Sequence, residues 1–455
     1  MANVLGDYYR CSENLIDFDV LPTDSSSAGY FRFGRELVLY GRQAVGLPGN
    51  HPDRPLHDAS ADVTFRESTV QLPFDPSEVV NNFYYERYAN GSRQKTGMAK
   101  LIRNAYYTAR PLLPVAIRKH LQQVYQRGWR DLVFPHWPVD TTVDTLMEEL
   151  MALVIRQQNG AKVPFIWFWP EGKHGCAIMT HDVETQLGVD LSTRLMDIND
   201  SFAIPASFQV IPEERYPVSE AYLGRIRNRG FEVSVQDLNH DGHLYRDREL
   251  FQKRVTKINQ YGRRFRAVGF RSGVLYRNQE WFELLDFDYD TSVPNVAHLD
   301  PQRGGCCSVM PYFIGNLVEL PVTTTQDYML FHIVNEYSVR LWDQQIKLIL
   351  AKNGMVNAII HPDYITGPRE EAIYTELLTM LDQIRRSENV WIALPRDVSS
   401  WWRQRSLMRL VQKNGEWHVE GPGSERAIVA YASLDGDVLS YTKESSLSQT
   451  STSCH

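Results

Sequence analysis

From Cys176 onward, short apolar runs alternate along the chain with longer segments of helical periodicity. Runs of this length and β-branched content are typical of buried strands, whereas segments with apolar residues three and four positions apart are typical of amphipathic helices. Strands and helices that alternate in this way build parallel βα units. The pattern therefore predicts an α/β fold with a mainly parallel sheet.

About eight strands are predicted, which favours a distorted (β/α)7-8 barrel over an open doubly wound sheet. The candidates are Ala177–Thr180, Ala206–Val210, Phe231–Val235, Ala267–Arg271, Phe287–Tyr289, Leu317–Val322, Met355–Ile360 and Val390–Leu394. The clearest helices are Glu249–Tyr261 after the cap residue Asp247, Tyr337–Lys352 and Glu370–Arg386. Neither a glycine fingerprint nor a Walker loop is present in the sequence, which argues against a nucleotide-binding version of either fold.

At 455 residues the chain exceeds what one compact core usually serves. We expect an N-terminal, mainly helical accessory region over residues 1–160 and the barrel over residues 161–405. A β-hairpin appendage is expected over residues 406–443, where apolar and polar residues alternate around Asn414-Gly415 and Asp435-Gly436. The Ser/Thr-rich residues 444–455 are expected to form a disordered tail.

The formal net charge of −7 gives no chain-wide positive field, so nucleic acid is not an expected partner. Residues 93–130 differ from the rest because they contain many basic and aromatic residues and no acid. These are Arg93, Lys95, Lys100, Arg103, Arg110, Arg118, Lys119, Arg127 and Arg130, with Tyr106, Tyr107, Tyr125 and Trp129. A helix is predicted from about Met98 to Arg130. The simpler interpretation is a solvated helix face, and the alternative is peripheral contact with an anionic membrane surface or an anionic glycan.

The first residues lack the apolar core of a secretory signal, and no run approaches the roughly 18 apolar residues of a spanning helix. We therefore expect a cytoplasmic protein, with a peripheral location at the inner membrane face as the alternative. The five cysteines form no CxxC spacing and no paired framework, so we expect reduced thiols.

Polar residues follow four of the predicted strands. The segments are Thr180-His181-Asp182-Val183-Glu184, Gln236-Asp237-Leu238-Asn239-His240-Asp241-Gly242-His243, Gly269-Phe270-Arg271-Ser272-Gly273 and Ile360-His361-Pro362-Asp363. In a parallel barrel the carboxyl ends of the strands meet at one face. Together these segments supply carboxylates, imidazoles and an arginine, the groups that activate a water on a divalent metal and protonate a leaving group. Taken singly, each acid could instead cap a helix and each histidine could be structural.

In this order the segments resemble the motifs of the polysaccharide deacetylase family, also called carbohydrate esterase family 4 or the NodB-homology domain, over about residues 175–400. The resemblance implies the distorted barrel of the glycoside hydrolase/deacetylase type. It also implies that Asp182 is the general base, that Arg271 orients this base, and that His361 is the general acid. Glu184 would be a metal ligand, in an Asp-x-Glu form of the first motif.

Two motif positions depart from the family pattern. Of the family's two metal-binding histidines four residues apart, His240 matches the second and Gln236 stands at the first. Glutamine offers a neutral oxygen where imidazole offers a nitrogen, so the resemblance implies weaker binding of a borderline metal such as zinc, the expected cofactor. Asp237 or His243 could supply the missing ligand. Gly273 stands where the family's third motif has proline.

The resemblance implies a metal-dependent hydrolase that removes N-acetyl groups from an amino sugar of a poly- or oligosaccharide or glycolipid. The alternative is a catalytically inactive glycan-binding or scaffold protein on the same barrel. In that case the aromatic residues Tyr276, Trp281, Tyr289 and Tyr312 could stack on sugars, although ordinary barrel packing also accounts for them. A glycosidase would need two opposed carboxylates, and only Asp182 and Glu184 cluster in the sequence.

Overall fold

A computed structural model describes residues 4–12, 15–16, 18–23, 27–34, 37–66, 69–89 and 115–444. The basic residues 93–114 and the Ser/Thr-rich tail at 445–455, which were interpreted from the sequence, lie outside the described residues. The chain divides into two compact units. One comprises residues 1–82, 142–174 and 401–455, and the other comprises residues 83–141 and 175–400.

The α-helices are numbered in chain order. They are α1 (Val4–Tyr9), α2 (Pro76–Tyr84), α3 (Val115–Tyr125), α4 (Thr142–Gln157), α5 (Gln186–Ser201), α6 (Glu220–Asn228), α7 (Arg248–Phe265), α8 (Arg340–Leu350), α9 (Pro368–Ser387) and α10 (Pro395–Leu407). A π-helical turn, Met329–Val334, lies between α7 and α8 in the chain.

The strands are numbered in the same way. They are β1 (Phe18–Val20), β2 (Gly29–Phe33), β3 (Leu37–Gly41), β4 (Thr64–Phe65), β5 (Val70–Leu72), β6 (Val163–Ile166), β7 (Cys176–Val183), β8 (Ala206–Val210), β9 (Glu232–Gln236), β10 (Gly269–Arg271), β11 (Tyr289–Asp290), β12 (Tyr312–Ile314), β13 (Leu317–Glu319), β14 (Met355–Ile360), β15 (Trp391–Ile392), β16 (Arg409–Lys413), β17 (Glu416–Glu420), β18 (Val429–Asp435) and β19 (Val438–Lys443).

The unit of residues 83–141 and 175–400 is built around a curled sheet of nine strands in the order β12-β13-β11-β10-β9-β8-β7-β14, with β15 also pairing with β7. All pairs are parallel except β12 with β13. Each of the eight predicted strands is present, so the predicted α/β barrel is confirmed. The segment after β13 contacts β14 through Thr323 Oγ1, which donates to Met355 O at 2.8 Å, and through Thr324, whose Oγ1 and backbone N–H donate to Asn357 O at 3.0 and 3.3 Å.

The central strands β7, β8, β9 and β14 are buried along their whole length, as expected for parallel strands that are covered on both faces. A few polar side chains inside the curl bond to one another. Tyr289 Oη donates to Glu232 Oε1 at 2.8 Å and lies 2.7 Å from Ser234 Oγ, which lies 2.9 Å from Ser207 Oγ. This chain of hydrogen bonds satisfies polar groups that would be costly to bury alone.

The other unit contains the long helix α4, whose residues are mostly buried, and several small sheets. β6 pairs with β18, which pairs with β19, while β2–β3 and β16–β17 are antiparallel pairs. The described residues before residue 160 therefore combine helices with five short strands, where the sequence predicts a mainly helical region. The strands form because their residues alternate between buried and half-buried positions, as in β2 and β3. Over residues 406–443, where the sequence predicts a β-hairpin appendage, β16–β17 and β18–β19 are antiparallel pairs.

None of the described helices combines the length and the apolar composition that crossing a bilayer requires. The four cysteines among the described residues, Cys11, Cys176, Cys306 and Cys307, are buried free thiols, as predicted from their spacing.

Candidate active site and metal centre

The predicted site residues meet at the carboxyl ends of neighbouring strands. Arg271, the last residue of β10, is paired in register with Gln236, the last residue of β9. β14 pairs with the other edge of β7, and Ile360 at its end lies opposite His181. The next residue of each strand path, His361 and Asp182, therefore lies at the same edge of the sheet. Parallel pairing alone therefore brings together side chains that are up to 179 residues apart (182 to 361).

Asp182 and Arg271 form a buried ion pair at this edge. Arg271 Nη1 donates to Asp182 Oδ1 at 2.5 Å, and the Arg271 side chain is fully buried. The rest of the guanidinium is also satisfied, by Thr180 Oγ1 at 2.9 Å and by the carbonyl and hydroxyl oxygens of Thr291 at 2.9 and 3.1 Å. The contact fixes the orientation of the Asp182 carboxylate, which is the role that the motif resemblance implies for Arg271.

Glu184 lies between two imidazoles. Its Oε1 is 2.8 Å from His240 Nε2 and 3.7 Å from His361 Nε2, and 15% of its side chain is exposed. Burial alone would raise the pKa of Glu184, but the charges of His240 and His361 outweigh burial and hold this pKa well below its usual range. Glu184 is therefore an anion at neutral pH and a suitable oxygen ligand.

Gln236 reaches the same carboxylates. Its Nε2 donates to Asp182 Oδ2 at 3.2 Å and to Glu184 Oε1 at 3.3 Å, while its Oε1 is buried without a hydrogen-bond partner. Rotation about the Cγ–Cδ bond of Gln236 would exchange Nε2 and Oε1, so that the oxygen would face the carboxylates of Asp182 and Glu184. Gln236 thus occupies the position of the expected ligand, but its amide N–H group, a hydrogen-bond donor, faces the carboxylates.

His361 is held by Asp327, a residue that the strand-end pattern does not identify. Asp327 Oδ1 is 2.6 Å from His361 Nδ1, and Oδ2 accepts from the His361 backbone N–H at 2.8 Å. Burial lowers the pKa of His361, but the Asp327 carboxylate beside the ring outweighs burial, so this pKa lies well above its usual range. With Nδ1 held by Asp327, the Nε2 nitrogen is the one that faces Glu184.

The residues of the site fit a divalent cation. Ligand atoms of Asp182, Glu184 and His361 all lie within 4.8 Å of one another. In addition, Glu184 Oε1 lies 2.8 Å from His240 Nε2, but not in the direction in which a ring N–H bond points. Both His240 nitrogens are therefore buried without a hydrogen-bond partner. A buried imidazole nitrogen aimed beside a carboxylate oxygen is the arrangement of two ligands that share an ion. The set of one or two nitrogens with several oxygens suits borderline and hard divalent metals.

The two candidate substitutes for the missing ligand are not part of this group. His243 Nδ1 lies 3.5 Å from Asp241 Oδ2, whose carboxylate is already bonded to Arg254. Asp237 is fully buried, with its Oδ1 accepting from the backbone N–H of Leu238 and its Oδ2 without a hydrogen-bond partner. Burial also raises its pKa.

Gly273, where the family has proline, is required by this packing. A Cβ atom at position 273 would lie 2.5 Å from Asp237 Oδ2 and 2.9 Å from His240 Cδ2. Both Asp237 and His240 have left-handed backbones, with φ of 52° and 54°. Non-glycine residues pay an energetic penalty for this conformation, which clusters at functional sites.

His181 of the first motif has a structural role. It is fully buried between Ile360 O, 3.2 Å from Nδ1, and Asn199 Nδ2, 2.9 Å from Nε2. Burial lowers its pKa to about 3, so the ring is neutral.

The aromatic residues considered for sugar stacking pack inside the unit: Tyr276, Tyr289 and Tyr312 are buried, and Trp281 packs against Phe251, with ring centroids 5.3 Å apart. The structure thus supports the packing interpretation for these four side chains.

Comparison with known proteins gives structural matches only, since no family model and no curated protein matches the sequence. The matching solved structures include several named as polysaccharide deacetylases or as members of carbohydrate esterase family 4. One, from Mycobacterium smegmatis and described as a polysaccharide deacetylase, is 20% identical with a TM-score of 0.43, and the match covers 55% of this chain and 98% of that one. The Puue allantoinase is 13% identical, with a TM-score of 0.41 and coverage of 52% and 92%. A family 4 acetyl xylan esterase from Clostridium thermocellum, in complex with a cobalt ion, is 13% identical, with a TM-score of 0.31 and coverage of 50% and 91%.

What this chain can do follows from its own side chains.

Proposed function

We propose that this chain is a metal-dependent hydrolase that removes N-acetyl groups from an amino sugar of a poly- or oligosaccharide or glycolipid, such as a cell envelope glycan. The observation that carries the proposal is the meeting of a base and an acid, each with its own charged partner. Asp182 is paired with Arg271, His361 is paired with Asp327, and ligand atoms of Asp182 and His361 lie within 4.8 Å of one another. A base and an acid at this separation can act on one amide.

In the proposed reaction a water oxygen attacks the acetyl carbonyl carbon while Asp182 accepts a proton from that water. Arg271 fixes the orientation of Asp182. His361 then donates its Nε2 proton to the leaving nitrogen as the C–N bond breaks, which releases acetate and the free amine. A divalent cation, with zinc as the expected ion, would be held by Glu184 and His240 and would supply Lewis acidity at the reacting carbonyl.

The test is acetate release from a chitooligosaccharide by protein loaded with zinc, cobalt or manganese, beside metal content by plasma mass spectrometry. We expect near-stoichiometric metal that is lost in His240→Ala, and acetate release that is lost in Asp182→Asn and His361→Ala. His243→Ala is the matched control, because His243 points to Asp241 and not to the ligand group. Acetate release that persists in Asp182→Asn and His361→Ala would refute these roles.

A second candidate, a catalytically inactive glycan-binding barrel, is favoured by one contact. Gln236 already satisfies the Asp182 and Glu184 carboxylates with a neutral donor, which lowers their need for a cation. The same experiment separates the two functions. Absence of bound metal and of acetate release with all three ions, together with measurable chitooligosaccharide binding, would support this candidate and refute the hydrolase.

The expected cytoplasmic location and the peripheral contact of residues 93–130 with an anionic membrane surface remain predictions. Of that basic segment, the structure describes only the part from residue 115 onward.

A further inference from the structure

Helix α3 turns its polar side toward the rest of its unit. Gln126 is buried and donates to a backbone carbonyl at 2.7 Å, and Gln123 Nε2 donates to the carbonyl of His332 at 2.8 Å. Gln122 Oε1 accepts from Tyr328 Oη. Three glutamine side chains thus attach the helix. Surface helices of globular proteins usually turn their apolar side to the core, so the orientation of α3 is inverted.

The apolar side chains of α3 face outward. Ile117, Leu121, Val124 and Tyr125 are 46%, 41%, 42% and 63% exposed. Their spacing along the helix places them on one side of it, and we call these four residues the apolar stripe.

The apolar stripe belongs to a larger cluster of exposed apolar residues. Leu132 and Val133 follow it in the chain and are also exposed. Of the fourteen large apolar side chains that are exposed among the described residues, six lie between positions 117 and 133. Single exposed apolar residues are ordinary, whereas a concentration of them marks an interaction surface.

The charge around the apolar stripe indicates what binds there. The formal net charge of the chain is −7, and residues 93–130 contribute +9 to it, so the other residues carry −16. Within the described part of this segment, Arg127 and Arg130 are exposed close after the stripe. In a symmetric dimer through this face, the same basic residues would oppose each other and repel. The charge therefore favours an anionic partner over a second copy.

Among anionic partners, a lipid surface matches both properties of the helix. Nucleic acid or an anionic glycan would neutralise the charge but leave the apolar stripe in water. A helix with one apolar side and basic flanks lies in the plane of a bilayer interface, with its apolar side chains among the acyl chains. Tyr125 and Trp129 are of the residue types that prefer the level of the lipid headgroups.

We propose that α3 docks this protein on the surface of an anionic lipid bilayer. The apolar stripe enters the interface, and Arg127 and Arg130 bind the lipid phosphate groups. Because α3 contacts Tyr328 and His332, in the segment directly after Asp327, docking holds the candidate active site beside the lipid surface. The inference does not depend on the proposed function, since it concerns the surface alone.

The experiment is co-sedimentation of the full chain with vesicles of phosphatidylcholine alone or with about 30% phosphatidylglycerol, at about 0.1 M salt. We expect the partition coefficient to be at least about tenfold higher for the anionic vesicles, and this difference to disappear at high salt. Leu121→Ser/Val124→Ser should weaken anionic binding by about tenfold or more, since two inserted side chains are lost. Leu348→Ser, at an exposed leucine of helix α8, is the matched control and should bind normally.

Arg127→Gln/Arg130→Gln tests the charge separately and should also weaken anionic binding by about tenfold or more. Arg263→Gln/Arg264→Gln, at two exposed arginines of helix α7, is its control. Circular dichroism and thermal unfolding establish that each variant is folded. The two double variants change different residues, so either one tests the inference if the other does not fold.

Four results would overturn the inference. They are no vesicle binding by the wild type, equal binding to neutral and anionic vesicles, anionic binding that both double variants retain, and equal losses in the variants and their controls. Light scattering adds one further test. A wild-type dimer that Leu121→Ser/Val124→Ser dissociates, without vesicle binding by either protein, would show that a second copy covers the apolar stripe.

Discussion

Asp327 contacts His361 twice with one carboxylate, through Oδ1 to the ring at 2.6 Å and through Oδ2 to the backbone N–H at 2.8 Å. The double contact fixes both the position of the backbone and the rotation of the ring. Because the carboxylate also raises the pKa of His361 well above its usual range, the imidazole is protonated at neutral pH. A general acid must hold its proton at the start of the reaction, so this pair prepares His361 for that role.

Replacement of Asp327 by asparagine should therefore impair catalysis strongly. We expect kcat for acetate release to fall by about 10²-fold or more, the size of effect that loss of general acid–base catalysis produces. Since the raised pKa of His361 falls in Asp327→Asn, the alkaline limb of the pH–rate profile should move to lower pH. Asp343→Asn, at an exposed pair with Lys347, is the control. An unchanged alkaline limb would show that another group is the acid.

The buried pair of Asp182 and Arg271 should dominate the stability of this edge of the sheet. In Arg271→Met the Asp182 carboxylate stays buried without its partner, and loss of one member of such a pair costs about 3–5 kcal/mol. Urea unfolding measures the difference. Arg263→Met removes an exposed pair with Asp286, whose side chains are 63% and 66% exposed, and should cost no more than about 1 kcal/mol. Equal losses in the two variants would contradict the prediction.

Gln236→His should tighten zinc binding. An imidazole at this position adds a nitrogen ligand beside Glu184 and His240 and removes the amide donor that faces the carboxylates. We expect the dissociation constant to fall by at least about tenfold, since loss of a mere outer partner already changes metal affinity by 10–100-fold. Competition with a chromophoric chelator gives the constant. Gln209→His, at a buried glutamine on the neighbouring strand β8, tests whether any added imidazole has this effect.

Glu232 should make the protein less stable as the pH rises. Burial raises its pKa from 4.5 to about 7, so the folded state binds the proton more tightly than the unfolded state. The free energy of unfolding should therefore fall as pH rises between these two values, by on the order of 3 kcal/mol for this group.

Glu232→Gln should remove that part of the pH dependence, because glutamine has no proton to lose and can still bond to Tyr289. Urea unfolding from pH 4 to pH 8 for both proteins isolates the difference. Parallel curves for the wild type and Glu232→Gln would show that Glu232 does not titrate in this range.

The strands could be predicted because the side chains on both of their faces are buried. β8 and β14 have the predicted bounds, since each is a short, mainly apolar run of the kind that a strand covered on both faces requires. Helix ends were harder. Helix α7 begins after Asp247 as predicted, with Asp247 accepting from the backbone N–H of Leu250 at 2.8 Å, but it continues past Tyr261 to Phe265. Gly262 is a usual stop signal, and in this helix the buried Phe265 favours one more turn.

The site could be predicted only where a polar residue directly follows a strand. That pattern finds Asp182, Arg271 and His361, which neighbouring strands bring together. It misses Asp327, because this residue lies eight positions after the end of β13, in a segment whose path depends on tertiary contacts.

Gly273, which has no side chain, belongs to the third motif but lies against Asp237 and His240 of the second motif. A side chain introduced at position 273 would displace Asp237 and His240. The gain in metal affinity expected for Gln236→His depends on where these two residues lie. We therefore expect the effects of substitutions at positions 236, 237, 240 and 273 on stability and metal affinity to be non-additive.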